Sequence, residues 1–149
     1  MSPFSKMLLV YDGTEEAQAA LTRCSELSLA LSARVEVVSV VDSVSANAHS
    51  AGMLGELAYS RLEELARHTL GTAICKLADN GITAHGHIVF GRTVDAVSRH
   101  AASFNSDIVV VGHRTQKGLA RWWRERPIHL DLAERLCGST IITVTLPLA

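Results

Sequence analysis

Short apolar runs alternate with longer stretches of helical spacing along the whole chain. Residues 6–11, Lys-Met-Leu-Leu-Val-Tyr, run into Asp12-Gly13-Thr14, a pattern that predicts a strand, a turn and a helix start. Thr14 is placed to cap that helix, and Glu15 and Glu16 stand where the helix dipole favours acids. Ala17, Ala20, Leu21, Cys24, Leu27 and Leu31 then recur at helical intervals. The β-branched run 35–42 predicts a second strand. A long helix is expected over 53–79, with Leu54, Leu57, Leu62, Leu65, Ala66, Thr69, Leu70, Ile74 and Leu77 as its buried stripe. Asn80-Gly81 stops it, one of the two supplying a left-handed cap. Residues 82–90 alternate as a half-exposed strand does. Gly91-Arg92-Thr93 opens a third helix with Val94, Val97 and Ala101 inward, and 107–112 is a near-continuous apolar strand. In the last strand, 140–146, Ile142, Val144 and Leu146 share one face and Ile141, Thr143 and Thr145 the other, before Pro147 ends it. The small, polar stretch 43–52 reads as a mobile loop within the domain.

Strands that alternate with helices imply right-handed crossovers and an open parallel sheet with helices on both faces. The uniformly apolar runs 6–11 and 107–112 belong at its centre, and the alternating runs 82–90 and 140–146 at its edges. Such a sheet opens a ligand crevice beyond the carboxyl ends of its central strands. Those ends are Asp12-Gly13-Thr14 and Gly112-His113-Arg114.

Composition narrows the class. The 149 residues suit a single domain, and 48% apolar against 19% charged residues excludes disorder. A net charge of −1 gives no general grip on nucleic acid. No apolar run approaches the roughly 20 residues of a membrane span, and Met1–Lys6 has no leader pattern. The three cysteines, Cys24, Cys75 and Cys137, are far apart, without metal-ligand spacing, and read as small apolar helix residues in a reduced cytoplasm.

Three pieces then fall into a known order: Leu8-Leu9-Val10-Tyr11-Asp12-Gly13-Thr14, Gly91-Arg92-Thr93 before a helix, and Ser106-Asp107-Ile108-Val109-Val110-Val111-Gly112-His113-Arg114. Their order and spacing resemble the universal stress protein family, from Lys6 to Leu146. The resemblance implies an α/β fold of the adenine-nucleotide alpha hydrolase-like type: an open five-stranded parallel sheet in the order 3-2-1-4-5. It implies a homodimer formed through the last strand, here Ile141, Ile142, Thr143, Val144 and Thr145. Many members bind ATP or AMP in the crevice. On that resemblance the contacts here would be Tyr11, Asp12, Gly13, Thr14, Val41, Gly112, His113, Arg114 and Thr115.

The family's phosphate loop starts with a glycine after strand four, has a second glycine three residues on, and later a Gly-Ser pair. Glycine lets backbone N–H groups close around phosphate oxygens. Gly112 matches the first position, but Thr115 replaces the second glycine and Glu125-Arg126 replaces the pair. Gly118 is out of register, and Gly138-Ser139 comes too late. The same stretch is cationic, with Arg114, Lys117, Arg121, Arg124 and Arg126 around Glu125, so side chains could hold an anion instead. Trp122-Trp123 between arginines has the composition of a contact hot spot, one Trp expected to fill the core and the other to meet a protein client or ligand. His85 and His87 share a strand face, but no third metal ligand is evident nearby, so no metal is expected. His113 lies at the crevice. No nucleophile with an orienting base can be assigned, and no catalytic residue is named. Two readings follow. In the first, a dimeric stress-response module works through protein contacts with a degenerate ATP motif and no required cofactor. In the alternative, a remodelled loop still binds ATP or AMP as a switch.

Overall fold

The computed structural model describes residues 4–42, 55–115 and 126–147. The expected loop at 43–52 lies outside them. Among the described residues five strands and four helices follow in sequence: β1 (Lys6–Val10), α1 (Glu15–Leu31), β2 (Arg34–Val41), α2 (Glu56–Asp79), β3 (Ala84–Phe90), α3 (Thr93–Phe104), β4 (Ile108–Arg114), α4 (Ile128–Arg135) and β5 (Thr140–Leu146). The sheet is parallel throughout, in the order β3-β2-β1-β4-β5. β1 and β4 are neighbours, with Met7, Leu8 and Leu9 opposite Ile108, Val109 and Val110. All six are buried, as their unbroken apolar runs predict.

Side-chain alternation divides the core between the sheet's two faces. On one, Met7, Leu9, Val35, Val37 and Val110 meet Ala17, Ala20, Leu21 and Cys24 of α1 and Ala73 and Leu77 of α2. On the other, Leu8, Val38, Val109 and Val111 meet Val97 and Ala101 of α3 and Leu132 of α4. Local signals set the boundaries. The Thr14 hydroxyl accepts from the Ala17 N–H at 3.2 Å, and the cap after α2 falls to Gly81 at φ +81°.

Four features depart from the sequence expectation. Of the α2 stripe only Leu77 is fully buried, Leu70 and Ile74 pack partly buried against the core, Leu57 and Leu65 are 71% and 63% exposed, and Leu54 lies outside the described residues. The early turns of α2 run past the strand ends, where Leu62, Leu65, Ala66 and Thr69 line a cavity. β4 runs two residues beyond its apolar stretch because Gly112, His113 and Arg114 pair with Val144, Thr145 and Leu146 of β5. Helix α4 was not expected, since its eight residues offer barely two turns of periodicity. Cys24 is buried with its Sγ 3.3 Å from Met7 Sδ, but Cys75 and Cys137 are exposed, and Cys137 falls beyond the end of α4. Burial pushes the Cys24 thiol up to about 12.

One carboxylate joins the starts of the central strands. Asp107 Oδ2 accepts from the Ser5 and Lys6 backbone N–H groups, both at 2.9 Å, and from the Ser5 hydroxyl at 3.1 Å. These bonds, the Ser5 N–H foremost, hold the Asp107 carboxyl below its ordinary value. A carboxyl depressed by folding stabilises the protein above its unfolded pKa of about 4, and that stabilisation is lost as pH falls through the folded value. Asp107→Asn is expected to lower the urea midpoint at neutral pH. The gap from the unsubstituted protein should close as a pH series of urea titrations descends below about 4.

Candidate functional site

At the carboxyl ends of β1 and β4 the structure opens the crevice that the topology predicts. A cavity of about 570 Å³ is bounded by Tyr11, Asp12 and Thr14 on one side and Val111 and Gly112 on the other, and Arg92, Asp95, Asp131 and Arg135 reach its rim. Beside it, a chamber of about 160 Å³ lies between the end of β2 and α2, lined by Val40, Val41, Leu62, Leu65 and Ala66. Tyr11, Asp12, Val40 and Asp42 line both, so the two adjoin.

The first turn is ordered by its own polar groups. Asp12 Oδ1 accepts from the Thr14 hydroxyl at 2.6 Å and the Thr14 N–H at 3.1 Å, an Asx turn that presents Thr14 as the helix cap. Gly13 sits at φ +83°, which only glycine adopts without strain. The Tyr11 ring is buried, and its carbonyl accepts from the Ser39 hydroxyl at 2.8 Å. Burial, then the Asp12 charge, raises the Tyr11 hydroxyl above its ordinary pKa. Val41 is buried and its carbonyl accepts from the Gly91 N–H at 3.1 Å. Asp42 Oδ2 lies 3.3 Å from the Thr93 N–H and accepts it at the start of α3.

Gly112 has a structural reason independent of phosphate. A Cβ there would run into the Glu16 carbonyl group and stand 2.8 Å from Ala17 N, so the missing side chain is what lets the first turn of α1 lie against β4. Thr115 donates its N–H and its hydroxyl to the Leu146 carbonyl, at 3.0 and 3.2 Å, and its backbone is not left-handed. No glycine is needed there in this conformation.

Two cations expected to meet an anion are engaged elsewhere. Arg114 reaches Glu15 at 2.6 Å and Glu16 at 3.4 Å, and these acids, Glu15 foremost, raise its pKa. Arg126 pairs with Glu134 at 2.7 Å and Asp131 at 2.9 Å, which raises Arg126 and lowers Glu134. Arg135 pairs with Asp95. His113 packs edge-on to His129, ring centroids 4.9 Å apart; burial and then His113 hold the His129 pKa below its ordinary value. Of the other predicted contacts, Lys117, Arg121, Trp122, Trp123 and Arg124 lie outside the described residues. Ile141, Ile142, Thr143, Val144 and Thr145 lie on β5, whose outer edge has no strand beside it among the described residues. Sequence reasoning missed Arg92, Asp42, Asp95, Asp131 and Arg135 at the crevice; only the strand-end position of Asp42 and the Gly-Arg-Thr start of α3 pointed to it.

Comparison with known proteins decides the lineage. The family model described as the universal stress protein family matches residues 3–126. The chain belongs to this family. Comparison with curated proteins gives no match. Among solved structures, a universal stress protein in complex with cAMP is 19% identical, with a TM-score of 0.70 over 96% of this chain and 98% of its own. The universal stress protein from Archaeoglobus fulgidus in complex with dAMP is 14% identical, with a TM-score of 0.65 over 95% and 98%. A family protein from Burkholderia pseudomallei is 18% identical, with a TM-score of 0.65 over 97% and 98%. At these identities the likeness is one of fold, and the universal stress protein fold is the one described above. It predicts a cost at the close approach of helix and strand. Gly112→Ala should lower unfolding stability by about 3 kcal/mol, the upper part of the range for overpacking a filled site, measured by urea denaturation.

Proposed function

We propose that this universal stress protein is a dimeric binding module whose crevice takes an adenine monophosphate in preference to ATP. The charge at the crevice carries the reading. Among the described residues lining it, Asp12, Glu16, Asp42, Asp95 and Asp131 face only three cations, and two of these, Arg126 and Arg135, are ion-paired. Among the described residues, no carboxylate pairs with Arg92, and one guanidinium suits one phosphate group. A triphosphate would add several negative charges to an acidic rim. The chamber of about 160 Å³ beside Tyr11 and Val41 offers the apolar surface of Val40, Leu62, Leu65 and Ala66 to a purine ring. Two of the similar structures are complexes with cAMP and with dAMP, both adenine monophosphates.

The module works through protein contacts. Support comes from the arginine-flanked Trp122-Trp123 pair beside the crevice motif and from the unpaired β5 edge, which would otherwise leave backbone groups open to association. On this reading the crevice binds its ligand and does not turn it over.

Calorimetry with AMP, cAMP and ATP, each with and without Mg²⁺, tests the ligand. AMP is expected to bind at least tenfold more tightly than ATP, and Arg92→Ala should weaken AMP by about tenfold, or 1.4 kcal/mol. Mg²⁺-ATP binding as tight as AMP, or silence from every nucleotide at millimolar concentration, overturns it. Light scattering at micromolar concentration should give a dimer mass; a monomer mass overturns the association through β5.

A further inference from the structure

Away from the crevice, on the α3 side of the sheet, three ligand-type side chains converge from three elements. Glu36 is the third residue of β2 and points among apolar neighbours into the layer beneath α3. Its Oε1 lies 2.7 Å from His100 Nε2 of α3 and 3.1 Å from His87 Nε2 of β3. The two imidazole rings are tilted by 44° with centroids 4.6 Å apart, and the three ligand atoms all lie within 4.8 Å of one another. We propose that Glu36, His87 and His100 form a binding site for a divalent transition metal ion of the zinc class.

A plain hydrogen-bonded cluster leaves one atom unexplained. His100 and Glu36 are within good hydrogen-bond range, but His87 Nε2 is a buried atom with no hydrogen-bond partner despite its closeness to the carboxylate. A metal ion uses the nitrogen lone pair, so a ring nitrogen aimed at the cluster without a directed N–H bond suits coordination. Two imidazoles and a carboxylate form a three-ligand set that leaves a fourth position open in tetrahedral geometry. Ligand atoms roughly 2.0–2.2 Å from zinc would stand about 3.3 Å apart, so Glu36 Oε1, now 2.7 Å from His100 Nε2 and 3.1 Å from His87 Nε2, would withdraw slightly from both, and the two nitrogens, within 4.8 Å, would settle to that spacing. Imidazole favours zinc, copper, nickel or cobalt over magnesium and calcium. The side chains of Glu36 and His100 are 15% and 16% exposed and that of His87 is 42% exposed, so the cluster lies toward the β3 edge with His87 Nε2 itself covered. His85, on the same strand face, is exposed and outside the cluster. Glu36 and Val41 are five residue steps apart along β2, about 16 Å at the rise of a strand, so this site is distinct from the crevice. A bound ion would join β2, the edge strand β3 and α3.

The test uses the full chain, stripped with chelator and desalted. Zn²⁺ calorimetry should give one ion per chain at micromolar or tighter affinity, and Co²⁺ should develop the visible bands of a tetrahedral site that Zn²⁺ then abolishes. His87→Ala and His100→Ala should each weaken binding by about 100-fold or more, beyond what loss of an outer-shell partner costs. His113→Ala and Cys75→Ser should leave it unchanged. Glu36→Gln, which keeps the side-chain shape, should weaken binding at least tenfold and serves where an alanine variant fails to fold by circular dichroism. Absence of saturable Zn²⁺ binding by the unsubstituted chain, or binding of undiminished affinity in a folded Glu36→Gln or His87→Ala/His100→Ala variant, overturns the proposal.

Discussion

The molecule depends on one close approach: the first turn of α1 lying against β4 where Gly112 has no side chain. Without that contact, the Asp12-Gly13-Thr14 turn and the end of β4 would separate, and the crevice between them would lose one wall. The approach is set up locally, by the Asx turn and the Thr14 cap, and completed at long range by β1 pairing with β4. Glycine at this position is therefore a packing requirement first. Its agreement with a phosphate-loop motif does not by itself imply a phosphate.

The electrostatics follow from the same turn. Glu15 and Glu16 offset the positive end of α1, and Arg114 folds back onto both. Arg126 does likewise with the acids of α4. Cations that look available along the sequence are thus used to hold loop ends onto helices. Their contribution as exposed pairs to stability is small, but the pairing matters at the crevice, where Arg126 stands with its charge offset by Asp131 and Glu134.

How legible this was depended on the range of the interaction. β1, β4 and their central placement could be read because an apolar run buried on both faces is a local property of Met7–Val10 and Ile108–Val111. Thr14 and Gly81 could be read because caps are local too. Leu57 and Leu65 misled, since helical spacing continues whether or not a sheet lies underneath. The partners of Arg114 lie 98 and 99 positions away, and those of Glu36 as far as 64, distances at which sequence carries no pairing signal. His87 was noticed for its neighbour His85, but its companions proved to be on another strand and a helix.

The setting of Cys24 gives the fold a built-in reporter. Its sulfur is enclosed between α1 and β1 and stays a neutral thiol at physiological pH, whereas Cys75 and Cys137 meet solvent. Alkylating reagents will consume the two outer thiols first, and the third will react only when α1 lifts from the sheet. The slow phase of thiol labelling therefore records how often the layer that walls the crevice comes apart.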